Sequence, residues 1–428
     1  MALDGAGRRR SVAEPKNGRG QVVEHFDIIV IGAGMMGSAA ARHLALTGAK
    51  VALVGPDEPV DKAAHGGVFA SHYDAARVTR QIDTRPNWAR FSQAAIARYA
   101  ELEKAGGERF FHPVGTVVAG PEDGPASSFV CDAQANAVAD GVPFEALRGD
   151  DLRSRFPEFQ FPAGVLALYE PAGAGWIDPR AHVRAEIAAA AAHGATVHRA
   201  EVARLDQGKG KGMVTAHCAD GTVFSARKAI VACGPFSKAA GLLPHPLPMR
   251  VYARTVAFFE LAQAEATRLS HMPSLIYVPP DGATDPYILP PVRYPDGKVY
   301  IKIGGDPDDH ELATTAEMKA WFRTKGDAKA GEVIADQLLR LMPDLSYEGI
   351  TFGACATSFS PHGNPFIYHQ TEAVMALTAG NGAAAKCADE IGRLGALVAL
   401  GDAIPDIYAG PFDASAAAAR VVPERRGG

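Results

Sequence analysis

The segment Gly32-Ala33-Gly34-Met35-Met36-Gly37 constrains this chain more than any other, because of what flanks it. Before it, Phe26-Asp27-Ile28-Ile29-Val30-Ile31 is β-branched and almost wholly apolar, the pattern of a strand buried on both faces of a parallel sheet. After it, Ser38 to Thr47 is rich in Ala and Leu at helical spacing, and Gly48 stops the helix. Lys50-Val51-Ala52-Leu53-Val54 reads as a second strand, so one β–α–β unit closes within about 30 residues. In that setting the first glycine permits a tight turn, the second lets backbone approach a pyrophosphate, and the third lets helix and strand pack closely. Unpaired N–H groups at the helix start favour an anion. Gly32, Gly34 and Gly37, with Met36 on the turn, are therefore expected to bind a dinucleotide. One expected element is missing. The second strand should end in an acidic residue for the ribose hydroxyls, yet Gly55 follows Val54, and Asp57 and Glu58 come two and three residues late.

A second α/β passage follows much later. Pro179 to His193 is an Ala-rich helix leading into a strand at Gly194-Ala195-Thr196-Val197, and Asp220-Gly221 is a hairpin-type turn. Lys228 to Gly234 is another buried strand. Residues 246–305 differ, being Pro-rich with aromatic and β-branched runs such as Tyr252–Phe259 and Val299–Ile303, which suggests an antiparallel sheet. Near the end, Val374–Thr378 reads as a strand, Ala379–Ala385 as a small-residue turn and Lys386–Leu400 as a helix. The expected fold class is α/β, α+β in the second domain: a Rossmann-like dinucleotide domain interrupted by an antiparallel-sheet substrate domain. The expected boundaries are 26–110, 176–245 and 350–410 for the first and 111–175 and 246–349 for the second. Residues 1–25 read as a disordered extension and 411–428 as a tail.

Composition removes several function classes. The 428 residues are 47% hydrophobic and 21% charged, enough for a sizeable core, with a net charge of -5 and no basic field for nucleic acid. Five cysteines, odd in number and scattered, give neither a disulfide framework nor a paired metal site, so reduced thiols and no metal are expected. Arg8-Arg9-Arg10 has no apolar stretch behind it, and no window of 18 uninterrupted apolar residues occurs. A cytoplasmic protein with no membrane partner follows, as a monomer or small homo-oligomer.

Four later segments hold residue types that do chemistry. Ser71-His72-Tyr73-Asp74-Ala75-Ala76-Arg77-Val78-Thr79-Arg80 ends in Arg-x-x-Arg. Lys302 lies inside the apolar run Val299–Gly305, where an ammonium is costly without a partner. Cys355, in Gly353–Ser358, precedes Pro361-His362-Gly363-Asn364-Pro365-Phe366-Ile367. Ala379-Gly380-Asn381-Gly382-Ala383-Ala384-Ala385 ends in Lys386. On their own the arginines also fit a salt-bridged face, Lys302 a snorkelling side chain and Cys355 a structural thiol.

Together with the glycine motif, these segments resemble the D-amino-acid-oxidase-like FAD-dependent oxidoreductases, most of all the sarcosine oxidase and N-methyltryptophan oxidase branch. The likeness covers most of residues 26–400. It implies FAD as cofactor, with Arg77 near the flavin and Arg80 gripping the substrate carboxylate through its planar fork. Lys386 matches the second carboxylate ligand and, with Gly380 and Gly382, the cofactor-facing turn, which here is one residue shorter and has alanines for aromatics. Lys302 matches a lysine above the flavin ring, a cation for the negative charge that develops on oxygen. Tyr287 matches a pocket tyrosine, and Asp306 stands where sarcosine oxidase has a histidine, which argues against sarcosine as best substrate. Counted back from Pro361 and Pro365, Cys355 falls on the cysteine that carries covalent flavin; counted forward from Gly353-Ala354, it falls one residue early. Covalent and non-covalent FAD both stay open.

The implied reaction oxidises the C–N bond of a secondary or N-methylated amino acid to an imine, with oxygen reduced to hydrogen peroxide. The expected partners are then an amino-acid-like small molecule and oxygen. Two other functions fit the same residues: a same-fold dehydrogenase with a non-oxygen acceptor, and a non-catalytic flavin-binding subunit that needs neither Arg80 nor Lys386.

Overall fold

His25–Ile31, apolar along nearly its whole length, pairs in parallel with Val51–Val54 on one side and Val223–Val231 on the other. The computed structural model describes residues 24–208, 213–282, 284–305 and 307–415. Residues 1–23 of the expected extension, 416–428 of the expected tail, and Asp306 lie outside them. Thr196–His198 adds in parallel beside Val51–Val54, and Val374–Thr378 beside Val223–Val231. Phe366–His369 closes that edge antiparallel, while Val202–Gln207 and Val214–Cys218 form a meander on the first half of Val223–Val231. The crossover from the first strand is the helix Met35–Leu46, as the spacing predicts.

That helix packs against Pro179–Ala192 and Ala388–Leu400 over a core that includes Ile28, Val30, Leu44, Val51, Leu53, Ile391 and Leu394. Each such side chain contributes about 1.5–3 kcal/mol when fully buried. Close approach depends on Gly392, where a Cβ would lie 2.4 Å from Ala39 Cβ. The buried Arg42 ties the three helices together, donating to Glu186 Oε2 at 2.5 Å and to Asp389. The helix Met35–Leu46 is thus held in place by packing and charge together.

A second, mainly antiparallel sheet has nine strands among the described residues. Arg250–Leu261 lies between Val299–Gly304 and Gly349–Phe359, and the sheet continues through Tyr287–Arg293, Ser274–Tyr277, Thr116–Pro121, Val165–Glu170 and Glu145–Arg148. The expected boundary at 350 needs correction here. Gly349–Phe359, assigned above to the nucleotide-binding part, pairs along its 11 residues with Arg250–Leu261. Its mixed small and polar composition carries no alternation that reveals the ladder. A third, small sheet joins Arg77–Thr79, Gly175–Ile177 and Phe111–His112. Among the described residues no helix is long and apolar enough to cross a membrane.

Candidate active site

A cleft opens at the C-terminal ends of the parallel strands, where open α/β sheets bind ligands. Ile31, Val54, Ala232-Cys233-Gly234 and Thr378 line it from those ends. The three motif glycines serve different purposes. A Cβ on Gly32 (φ 109°) would lie 2.4 Å from Ala232 O, and one on Gly37 would lie 1.9 Å from Gly32 O. Both are demanded by packing. A Cβ on Gly34 would meet only His72 Nδ1, at 3.8 Å, so this glycine leaves bare backbone toward the cleft. The helix Met35–Leu46 has no side-chain cap and no acid in its first turn. Its free N–H groups therefore suit a pyrophosphate, and the chain fits a dinucleotide such as FAD.

Gly55 now has an explanation: a Cβ there would sit 2.4 Å from Ala33 N, so the glycine loop forbids the expected acid. Neither late substitute takes its place. Asp57 pairs with Arg199 at 3.4 Å, and Glu58 accepts from Arg180 Nε and Nη2 at 2.6 and 2.7 Å. Among the described residues the one carboxylate lining the cleft is Glu201, which sequence reasoning missed. Met36, Arg77, Cys355, Gly380 and Gly382 line the cleft, while Gly37 packs behind the lining. His72 forms part of the wall, and burial pushes its imidazole down to about 3, so it is neutral. Ala379 and Asn381 adopt left-handed φ of 66° and 47°, which costs non-glycine residues energy and concentrates at functional turns. Asn381 holds this turn, donating through N to Ser358 O at 2.8 Å and through Nδ2 to Ala379 O at 2.7 Å.

Lys302 and Tyr287 lie outside the lining, on adjacent strands of the second sheet. The Lys302 ammonium is 1% exposed and donates to Asp74 Oδ2 at 2.7 Å and Ala76 O at 2.5 Å. Burial pushes its pKa well below the ordinary lysine value, with Arg77 adding to the effect. The Asp74 carboxylate, at contact distance, acts in the opposite sense. Asp74 also pairs with Arg77 and accepts from Tyr294 Oη at 2.9 Å. Arg77 Nη2 stands 3.8 Å from Cys355 Sγ, so Arg77 and Cys355 form one edge of the cleft. Lys302 Nζ sits 5.8 Å from the Tyr287 ring centroid. Asp74, which sequence reasoning did not single out, is the acid that links Lys302 to Arg77.

Arg80 and Lys386 also converge, three residues further along and again outside the lining. Arg80 Nη2 lies 3.2 Å and Lys386 Nζ 3.1 Å from one atom, Asp83 Oδ2. Lys386 donates to Trp88 O as well, at 3.1 Å, and both Lys386 and Asp83 have side chains only 2% exposed. Burial alone would raise the Asp83 carboxyl; Lys386, Arg80 and Arg85 outweigh it and hold the group well below the usual carboxylate range. The two cations of the expected clamp are thus paired, and the carboxylate between them belongs to the chain.

The segment carrying Arg80 and Asp83 is anchored by another acid that the sequence did not flag. Glu170, fully buried, accepts from Gln81 N, Gln81 Nε2 and Ile82 N at 2.8–3.2 Å. Burial pushes its carboxyl up to about 7 from the ordinary 4.5, despite those donors. The native state therefore holds this proton more tightly than the unfolded chain. Its stabilising contribution is complete below pH 4.5 and is lost as pH rises through 7. Glu170→Gln, permanently neutral, should gain about 2–4 kcal/mol relative to wild type between pH 5 and pH 8. Urea midpoints at the two pH values check this; equal shifts in both proteins would contradict it. One trio of metal-type ligands, His198, Cys218 and Asp220, comes within 4.8 Å among the described residues, but His198 Nε2 and Asp220 Oδ2 already bond each other at 2.9 Å.

The chain is similar to several known proteins. Residues 27–396 match the family model described as FAD dependent oxidoreductase. Monomeric sarcosine oxidase of Bacillus sp. (strain NS-129) is 30% identical over 254 residues, 59% of this chain and 63% of that protein. The match thus spans less than two thirds of that relative's length. N-methyl-L-tryptophan oxidase of Yersinia pestis (strain Pestoides F) is 25% identical over 379 residues, covering 87% of this chain and 95% of that one. Among solved structures, NikD, an amino acid oxidase essential for nikkomycin biosynthesis, superposes with a TM-score of 0.72 at 22% identity, over 89% of this chain and 95% of that one.

Proposed function

The chain belongs to the family of FAD-dependent oxidoreductases, and on that premise we propose that it oxidises the C–N bond of a secondary or N-methylated amino acid to an imine, with oxygen reduced to hydrogen peroxide. The observation that carries this reading is the pair of cation centres on one short segment: Arg77 with Lys302 beside the cleft, and Arg80 with Lys386 beyond it. The named relatives, oxidases of sarcosine and N-methyl-L-tryptophan, support the substrate class.

Bound FAD would supply the two-electron acceptor, and the chain's residues would do the rest. The glycine loop and helix start would hold the pyrophosphate, in the cleft that Met36, Gly380 and Gly382 help to line. Arg80 and Lys386 mark the subsite for the carboxylate end of the substrate, where Asp83 already sits between them. Arg77 and Lys302 keep positive charge where negative charge develops on oxygen. Tyr287 stands beside Lys302, its ring centroid 5.8 Å from Nζ. Arg77 Nη2 stands 3.8 Å from Sγ of Cys355, the residue that would carry the flavin covalently.

One observation favours a second reading. Asp74 sits 2.7 Å from Lys302 Nζ and balances its charge, which suits a dehydrogenase with a non-oxygen acceptor. Both readings are tested by supplying N-methyl amino acids in an oxygen electrode with peroxide and formaldehyde assays. The oxidase reading expects one peroxide and one formaldehyde per oxygen consumed. Turnover only with an added dye acceptor would replace it by the dehydrogenase. A yellow pellet after acid precipitation is expected for attachment through Cys355, and a colourless one contradicts it.

A further inference from the structure

A carboxylate clamp built from two cations should present both to the substrate. Here both are directed at Asp83 Oδ2, from 3.1 and 3.2 Å. Asp83 cannot easily swing aside, because every neighbour fixes it. Its Oδ1 accepts from Arg85 N at 3.1 Å and lies 3.5 Å from Arg85 Nε. The carbonyls of Asp83 and Thr84 accept from Asn136 Nδ2 at 3.2 and 2.8 Å, and Gln81 and Ile82 are tied to Glu170. Asp83 nevertheless fills the clamp incompletely. Arg80 Nε is buried without a hydrogen-bond partner among the described residues, so the guanidinium fork is engaged through one arm where a carboxylate can take two.

We propose that Asp83 is a built-in occupant of the amino-acid carboxylate subsite and sets substrate selection by competing with a substrate carboxylate for Arg80 and Lys386. The proposal rests on the amine-oxidation reading and extends its substrate class beyond the free amino acid. The enzyme takes secondary amines whose carboxylate is masked, as in an amide or ester, about as well as the free N-substituted amino acid. Asp83→Asn keeps the shape and removes the competing charge. It should then admit an external carboxylate to both cations.

The experiment uses the flavin-loaded enzyme with N-methylalanine and its amide as substrates and acetate as a non-reacting probe. Wild type is expected to use acid and amide with kcat/KM within about threefold of each other, since little carboxylate binding energy is available. In Asp83→Asn, KM for the acid should fall about tenfold, the gain expected when charge-assisted bonds become free. KM for the amide should hold within about twofold. Asp83→Ala leaves an anion-shaped gap between Arg80 and Lys386, so acetate should raise its melting temperature while leaving that of wild type unchanged. A wild-type preference of about 100-fold or more for the acid would overturn the proposal without any variant. So would an equal gain for acid and amide in Asp83→Asn, or an Asp83→Ala protein indifferent to acetate. If no amine reduces the flavin of any form, the amine-oxidation reading fails, and acetate rescue still reports on Asp83 independently.

Discussion

Gly37→Ala is expected to yield little or no folded, flavin-loaded protein. The added Cβ would lie 1.9 Å from Gly32 O and 3.2 Å from Ala232 Cβ, and neither neighbour can retreat. Gly32 O belongs to the phosphate turn, and Gly32 is itself pressed against Ala232 O. Overpacking of this kind typically costs about 1–3 kcal/mol, and backbone-on-backbone overlap falls at or above the upper end. Lost cofactor binding removes further stability by mass action. Gly34→Ala is the informative contrast. Its Cβ meets nothing closer than His72 Nδ1 at 3.8 Å, so the chain should fold while the approach to the pyrophosphate is obstructed. Calorimetry with the flavin-to-protein absorbance ratio separates the two: Gly37→Ala loses both melting transition and colour, Gly34→Ala mainly colour. A fully loaded Gly34→Ala protein would show that the cofactor does not approach this backbone.

Lys302→Met should slow reoxidation by oxygen about 10²–10³-fold, the usual effect of deleting one preorganised electrostatic group. Flavin reduction by substrate under argon should stay within about threefold of wild type, because Lys302 has no part in holding the amine. The variant should fold. Asp74 keeps Arg77, Tyr294 Oη and the Ala75 N–H, so no buried charge is left alone, and methionine fills the space of the lysine stem. Stopped-flow mixing of reduced enzyme with oxygen gives the rate directly. Equal rates in the two proteins would remove Lys302 from oxygen chemistry and leave the dehydrogenase reading standing.

Local features were readable from the sequence; long-range ones were readable only where residue types were distinctive. The Gly32–Gly37 turn follows from spacing within one β–α–β unit, and the helix and second strand fall within a few residues of expectation. Gly55 made no sense in one dimension, because its reason is a contact with Ala33 N across the loop. Resemblance singled out Arg80 and Lys386, but no pattern along the chain says that two residues 306 positions apart share an oxygen of Asp83. Asp83 itself stood in plain view three residues after Arg80. In an extended segment that spacing implies no contact, unlike in a helix. Asp74 and Glu170 were missed for the same reason, since a buried acid is informative only once its partners are known. The Gly349–Phe359 ladder was invisible because main-chain pairing leaves no mark on a strand of small and polar residues.

Amine oxidation is tested most directly by anaerobic titration of the purified flavoprotein with N-methyl and cyclic amino acids while the visible flavin band is followed. The predicted result is stoichiometric bleaching by at least one secondary amine, and return of the band when oxygen is admitted. A band that dithionite bleaches and no amine in the panel does would contradict it, leaving a flavin-binding protein without amine oxidation.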